Sequence, residues 1–264
     1  MKERLDNLMV AKGYCSSRSR AKALIMMGKV FVDGKRVDKA GCPVDPSSRI
    51  EVQQDIPYVS RGGLKLEKAL KEFQVSLTGK IVIDVGASTG GFTHCALKDG
   101  AEKVYAVDVG YGQLAWSLRN DPRVVNIERT NIRYLNPDTI QDIPEIATVD
   151  VAFISLKHIF PILRRTGTKK IIALIKPQFE AGKDKVGRKG VVKDPKVHRE
   201  VIGTVLNQAK QQGYTLTALT FSPIKGPQGN IEYLALFEIE NHPMDNPDLI
   251  SLIETTVSRA VEEL

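Results

Sequence analysis

From residue 80 onward, apolar runs recur at a regular beat. They occupy 81–85, 104–107, 124–127, 149–154, 171–175, 215–221 and 231–239. Short runs of this kind, bounded by glycine, proline and polar residues, are the pattern of strands buried on both faces. Helical spacing fills the intervals at 91–98, 112–119, 157–165 and 195–212. Alternating strands and helices predict an α/β fold, a mostly parallel sheet of about seven strands covered on both sides. Only the loop from Ser222 to Asn230 separates the last two runs, so these strands are expected to be antiparallel neighbours. After Pro247, the residues Leu249, Ile250, Leu252, Ile253 and Val257 describe an amphipathic closing helix.

The first 56 residues follow a different pattern. A short helix is expected over 4–12, ended by Gly13. Ser16 or Ser17 can cap a second, with Gly28 just beyond its end. Asp33-Gly34, between Val30-Phe31-Val32 and a segment ending at Val37, is a two-residue hairpin signal. Arg49 to Val52 is another short strand. The reading is a small α+β module over 1–56, a linker over 57–63 that continues Gln53-Gln54-Asp55-Ile56-Pro57, and a large domain over 64–264. A helix after Gly62-Gly63 should run to Phe73, with Leu66, Ala69, Leu70 and Phe73 on one stripe and Lys65 beside it.

Charge separates the two parts further. The net charge is +7. Residues 1–65 contribute a surplus of about +6, and the remainder is nearly neutral. A basic module on a neutral body suggests docking to a polyanion. Three cysteines, Cys15, Cys42 and Cys95, lack C-x-x-C spacing and suggest neither a disulfide framework nor a zinc site. The N-terminus lacks the apolar core of a signal peptide, and no apolar run reaches the roughly 18 residues needed to span a bilayer. A reducing, cytoplasmic setting is the expectation.

The most informative string is Ile81-Val82-Ile83-Asp84-Val85-Gly86-Ala87-Ser88-Thr89-Gly90-Gly91-Phe92. It reads as strand, glycine turn and helix start, the opening unit of a nucleotide-binding sheet. The dinucleotide fingerprint G-x-G-x-x-G is absent, which argues against a pyrophosphate. The pattern suits a cofactor without phosphates, S-adenosylmethionine (SAM). Asp84, Gly86, Ser88, Thr89, Gly90, Gly91 and Phe92 are its candidate contacts. Asp108 ends the next apolar run about 20 residues on, where a carboxylate can accept from both ribose hydroxyls. Thr130-Asn131, after the third run, is placed to edge the adenine. His94 and Cys95 read as packing residues.

The small module resembles the RNA-binding domain named after ribosomal protein S-four. The resemblance rests on Arg4-Leu5-Asp6, Ser19-Arg20-Ala21-Lys22, Ile25, Gly28 and Val30-x-Val32-x-Gly34. It implies that Arg4, Arg18, Arg20, Lys22, Lys29, Lys35 and Arg36 face RNA, joined by Arg61 in the linker. Arginine and lysine there fix orientation on phosphates and carry little sequence information.

Lys65, Asp150, Lys176 and Glu232 each sit where an apolar element meets the expected site. Singly, each reads as a strand-end charge reaching solvent. Together they resemble the Lys–Asp–Lys–Glu set of FtsJ-like ribose 2′-O-methyltransferases. Tyr58-Val59-Ser60-Arg61-Gly62-Gly63, Phe153-Ile154-Ser155-Leu156 and Lys176-Pro177-Gln178-Phe179-Glu180 extend the resemblance to the TlyA family over about residues 1–240. That resemblance implies a Rossmann-like SAM-dependent methyltransferase domain, catalysis by Lys65, Asp150, Lys176 and Glu232, a further cofactor contact at Asp150, and ribosomal RNA or a ribosomal subunit as partner. It implies no metal and no membrane. Amino-group methylation of a base is disfavoured, since Asp150-Val151-Ala152-Phe153 lacks the prolines of D-P-P-Y. Carbon methylation of a pyrimidine needs a cysteine nucleophile, and the three cysteines are misplaced. A non-catalytic RNA-binding or assembly protein and a membrane-lytic haemolysin, suggested by the family's historical label, are the alternatives. The loop from Gly182 to Gly190, with Lys183, Lys185, Arg188 and Lys189, reads equally as a cover for RNA phosphates and as a solvated loop.

Overall fold

The computed structural model describes residues 2–52, 56–239 and 246–264. Gln53, Gln54 and Asp55, read as part of the linker, lie outside the described residues. The chain divides into two compact units, Met1–Ile56 and Pro57–Leu264.

The smaller unit contains β1 (Glu3–Arg4), α1 (Leu5–Ala11), α2 (Arg18–Met26), β2 (Val30–Val32), β3 (Lys35–Arg36), β4 (Pro43–Val44) and β5 (Ile50–Val52). Ser17 caps α2 by accepting the Arg20 N–H at 3.2 Å. β2 is the middle strand of an antiparallel β3-β2-β5 sheet. Asp33 and Gly34 take φ of 50° and 75°, the positive values that a tight hairpin needs at both positions. Leu5, Leu8, Met9, Ile25 and Val30 form its core. The chain start departs from the sequence reading. Glu3 and Arg4 pair with Val44 and Pro43 as a strand, and helix begins only at Leu5.

The larger unit opens with α3 (Gly62–Phe73). There follow β6 (Ile81–Val85), α4 (Gly91–Lys98), β7 (Lys103–Val107), α5 (Trp116–Arg119), β8 (Val124–Ile127), β9 (Ile146–Val149), α6 (Phe160–Arg165), β10 (Lys170–Ile175), α7 (Pro177–Glu180), α8 (Pro195–Lys210), β11 (Thr215–Phe221), β12 (Tyr233–Glu238) and α9 (Asn246–Glu263). The seven strands lie in the order β8-β7-β6-β9-β10-β12-β11. All are parallel except β12, which runs antiparallel to both β10 and β11. Alternate side chains feed two cores: Ile83, Val85, Tyr105 and Val107 enter one, and Val82, Val104 and Ala106 the other. The chain steps outward from β6 to β7 and β8, then returns to β9 on the other side of β6. That reversal leaves a crevice at the carboxyl ends of β6 and β9, where α/β sheets bind ligands.

Three boundaries differ from the sequence reading. The strand expected over 149–154 is Ile146–Val149. Val151 to Ile154 form a loop that walls a cleft, and their apolar character serves that wall rather than a sheet. The helix expected over 112–119 shrinks to Trp116–Arg119, because Gly112 turns with a φ of 69°. α7 has no counterpart in the sequence reading. Residues 57–63, read as a linker, fall in the larger unit and are packed. Tyr58 meets the His94 ring edge-on at 5.8 Å, and His94 Nδ1 accepts the Val59 N–H at 3.2 Å.

Candidate active site

Two clefts open at the carboxyl ends of the central strands. The larger, about 490 Å³, is lined by Gly86, Ser88, Asp108, Val109, Gln113, Thr130 and Asn131, with Asp150 and Val151 to Ile154. The second, about 370 Å³, is lined by Ser60, Arg61, Lys65, Thr89, Gly91, Phe92, Lys176 and Lys225 among others. Gly86, Ser88, Asp150 and Ala152 belong to both, so the clefts meet at the ends of β6 and β9.

The glycine turn explains how that junction is built. Gly86 has a φ of 84°, and a Cβ on it would lie 2.5 Å from the Asp150 carbonyl oxygen. Only glycine lets the two strand ends approach so closely. Ser88 sits at a φ of 49°, and its N–H donates to Asp108 Oδ2 at 2.8 Å. The other Asp108 oxygen accepts the Gly110 N–H at 2.7 Å. Asp108 is thus fixed at the rim with lone pairs left for a ligand. Asn131 caps a short turn by accepting the Arg133 N–H at 3.1 Å and still borders the cleft.

Asp84 is placed differently from the sequence reading. Its carboxylate is fully buried, accepting from Thr93 Oγ1 at 2.6 Å and Thr148 Oγ1 at 2.9 Å. Burial pushes it up to about 6 against the pull of those two hydroxyls. Asp84 lines neither cleft and acts beneath the turn, tying β6 to α4 and β9. Gly90 also lines neither. Its φ of 96° lets the chain enter α4, and Leu114 and Leu118 close over it.

The four residues of the candidate catalytic set form two ion pairs. Lys65 Nζ donates to Glu232 Oε2 at 2.6 Å, with side-chain exposures of 9% and 0%. Lys176 Nζ meets Asp150 Oδ1 at 2.5 Å, with 12% and 21% exposed. Lys65, Asp150 and Lys176 all border the second cleft. Glu232 lines neither cleft; it is buried at the entrance to β12 behind Gly226, which borders the second cleft and where a Cβ would lie 2.2 Å from Oε1. Pro177 supplies the first residue of α7, so the chain turns directly after Lys176.

Sequence reasoning missed three polar contributors. Gln178 Nε2 reaches Glu232 Oε1 at 3.5 Å. Gln113 lines the larger cleft. Glu180 accepts from Ser155 Oγ at 2.6 Å and from the Leu156 N–H at 2.8 Å, clasping the loop after β9 to α7. Burial raises the Glu180 carboxyl above its ordinary range. The signal for two of them was the polar cluster after Lys176; Gln113 carried none. Cys95 is buried, its thiol pushed up to about 12, and is inert as a nucleophile. Among the described residues, no group of three or more His, Cys, Asp or Glu side chains is placed to hold a metal ion.

In the smaller unit, buried Asp6 gathers two of the candidate RNA contacts. Its oxygens accept from Arg4 at 2.9 and 3.1 Å and from Arg18 at 3.0 Å. The Arg4 hydrogen bonds, joined by Arg18, hold it well below the usual carboxylate range. Both arginine side chains stay about half exposed. Arg20, Lys22, Lys35 and Arg36 are exposed and Lys29 is half-buried. The Arg36 guanidinium lies over Gly28. Arg61 is exposed, at the edge of the second cleft in the larger unit.

A profile of FtsJ-like methyltransferases matches residues 58–238, and one of the S4 domain matches residues 3–50. The Bacillus subtilis protein YqxC is 50% identical over 266 residues, covering 99% of this chain and 94% of that one. The Mycobacterium tuberculosis 16S/23S rRNA (cytidine-2′-O)-methyltransferase TlyA is 41% identical over 264 residues, covering 98% and 97%. A solved Streptococcus thermophilus protein described as a candidate hemolysin is 43% identical, with a TM-score of 0.77 and coverage of 99% and 96%.

Proposed function

The chain belongs to the FtsJ-like methyltransferases, in the TlyA family with its N-terminal S4 domain, and from that premise we propose that it transfers a methyl group from SAM to the 2′-hydroxyl of a cytidine in ribosomal RNA. The observation that carries the reading is the junction of the clefts. Gly86 and Asp150 wall both, while Lys176 borders only the second. A cofactor in one and a ribose in the other would meet there.

The residues fit the cofactor. A cleft of about 490 Å³ suits a ligand of this size. Asp108 is fixed to accept ribose hydroxyls, and Val109, Ile132 and Val151 offer apolar surface for an adenine. When bound, SAM supplies an electrophilic methyl group. The chain supplies position and charge. Transfer needs the 2′-oxygen in line and about 3 Å from the methyl carbon. Lys176, held by Asp150, is the side chain aimed at that oxygen. As a neutral amine it accepts the hydroxyl proton; as an ammonium it stabilises the negative charge that grows as the proton leaves. Lys65 and Glu232 hold the ribose side of the cleft, and the basic face of the smaller unit supplies phosphate contacts.

The names of relatives raise membrane lysis as another activity. Among the described residues, no helix is long and apolar enough to cross a membrane. Calorimetry with SAM, run beside transfer of labelled methyl to ribosomal RNA, tests the proposal. Binding with transfer supports it. Binding without transfer would leave a non-catalytic RNA-binding role, and absence of SAM binding would remove the enzyme reading altogether.

A further inference from the structure

A third cavity, about 790 Å³, lies beside the second cleft and shares Lys225 with it. Its wall carries Lys185, Arg188, Lys189, Lys193 and Lys225 against a single carboxylate, Asp194. That carboxylate is exposed and is engaged as the cap of α8, accepting the Lys196 N–H at 2.8 Å. Lys185 is answered by Glu200 at 2.5 Å. Arg188, Lys189, Lys193 and Lys225 are exposed and make no ion pair among the described residues. Four unpaired cations around one concave surface repel one another, and an anionic ligand relieves that repulsion.

The wall is held in place by hydrogen bonds. Asn230 accepts the Val192 N–H at 3.2 Å and donates to the Gly190 carbonyl at 2.9 Å. His198, buried and bonded to Tyr233 Oη at 2.7 Å, meets the Val192 carbonyl at 2.9 Å through Nε2. Gly187 and Val191 close the turn that presents Arg188 and Lys189. Across the groove, Gln228 is a non-glycine residue at a φ of 62°, a strain that clusters at functional sites. These bonds fix the backbone at Gly187, Gly190 and Val192, on either side of Arg188 and Lys189.

Continuity names the occupant. Lys225 precedes Gly226, the residue pressed against Glu232 at the reactive corner. We infer that this groove carries the phosphodiester backbone of the substrate RNA on one side of the target ribose, with Lys225 at the threshold and Arg188, Lys189 and Lys193 along the path. The inference rests on the RNA 2′-hydroxyl reading above. It adds a polyanion track in the larger unit, separate from the basic face of the smaller one. Phosphate contacts of this kind set affinity and salt dependence and leave the chemical step alone.

The test uses the full chain with Arg188→Ala and Lys193→Ala combined, and ribosomal RNA as substrate. KM for RNA should rise about tenfold or more, with kcat within about threefold. The plot of log affinity against log salt should flatten by about 1.4 to 1.8, or about 0.7 to 0.9 per lost phosphate contact. SAM affinity, unchanged, reports an intact larger unit. Unchanged KM and slope with intact SAM binding would overturn the groove while leaving the proposed reaction standing. A wild-type protein that transfers no methyl to RNA would instead overturn the reaction, and the salt slope would still judge the groove. Should the double variant lose SAM binding, Lys193→Ala alone removes one exposed side chain, and its slope should flatten by about 0.7 to 0.9. An unaltered slope there overturns the inference.

Discussion

Two lysine–carboxylate pairs stand at the same cleft and differ in what surrounds them. Lys65 and Glu232 are almost sealed, bridging α3 and the entrance to β12. Lys176 and Asp150 sit at the loops after β10 and β9, where solvent reaches both partners and where the clefts join. Desolvating two charges costs several kcal/mol per ion, which the sealed pair recovers through its own contact, with Gln178 as a further donor to Glu232. It is therefore a joint: both partners must be present. The open pair keeps access to a ligand and can exchange a partner for a substrate atom. The two lysines are about equally covered, so the pairs differ in their carboxylates: Glu232 is sealed and Asp150 is partly open.

The largest effect that would sharpen this division is on turnover. Lys176→Ala should slow methyl transfer by about 10²- to 10⁴-fold, the range for losing a positioned acid–base or charge-stabilising group, with SAM and RNA affinity retained. Lys176→Arg separates the two modes of action. Guanidinium stays protonated, so near-normal transfer by that variant would leave charge stabilisation as the only role.

The sealed pair should respond in stability. Glu232→Ala leaves Lys65 buried without its partner and should cost about 3–5 kcal/mol in denaturant unfolding of the larger unit. Asp150→Ala, at a pair whose carboxylate solvent reaches, should cost less than Glu232→Ala. Equal losses would erase the distinction between joint and reactive pair.

A pH effect of similar size belongs to Asp84. Its folded carboxyl is raised to about 6, above the unfolded value of 3.8, so the folded state holds the proton longer. Between these values the unfolded state binds fewer protons, and stability falls as pH rises. Wild type should lose about 2.4 kcal/mol relative to Asp84→Asn between pH 4 and pH 7. Other groups cancel in that difference, and a flat difference would show that Asp84 is not strained by burial. Smaller again is the cofactor rim. Asp108→Ala should weaken SAM binding by roughly 10- to 150-fold through loss of a charged acceptor of about 1.5–3 kcal/mol.

These contrasts also show what the sequence could and could not tell. The beat of apolar runs located the sheet, and the antiparallel last strand followed from the short Ser222–Asn230 connection. Asp108 was readable because it ends a strand and faces the crevice. Asp84 has the same sequence setting, but it shares a sheet face with Val82, and Thr93 and Thr148 meet it there. Side-chain direction in β6 is a period-of-two fact that a motif hides. The run from Asp150 to Ile154 misled for the opposite reason. A cofactor cleft needs apolar walls, and apolar walls on a loop look like a strand. The pairing of Lys65 with Glu232 joins residues 167 apart in sequence and is visible only once α3 lies against β12.

The direct measurement of where the methyl group lands is digestion of ribosomal RNA, methylated by the full chain with labelled SAM, to single nucleosides. Label is expected in 2′-O-methylcytidine, and it should disappear with Lys176→Ala. Label on a base, or label in the 2′-O-methyl product that survives Lys176→Ala, would contradict that expectation.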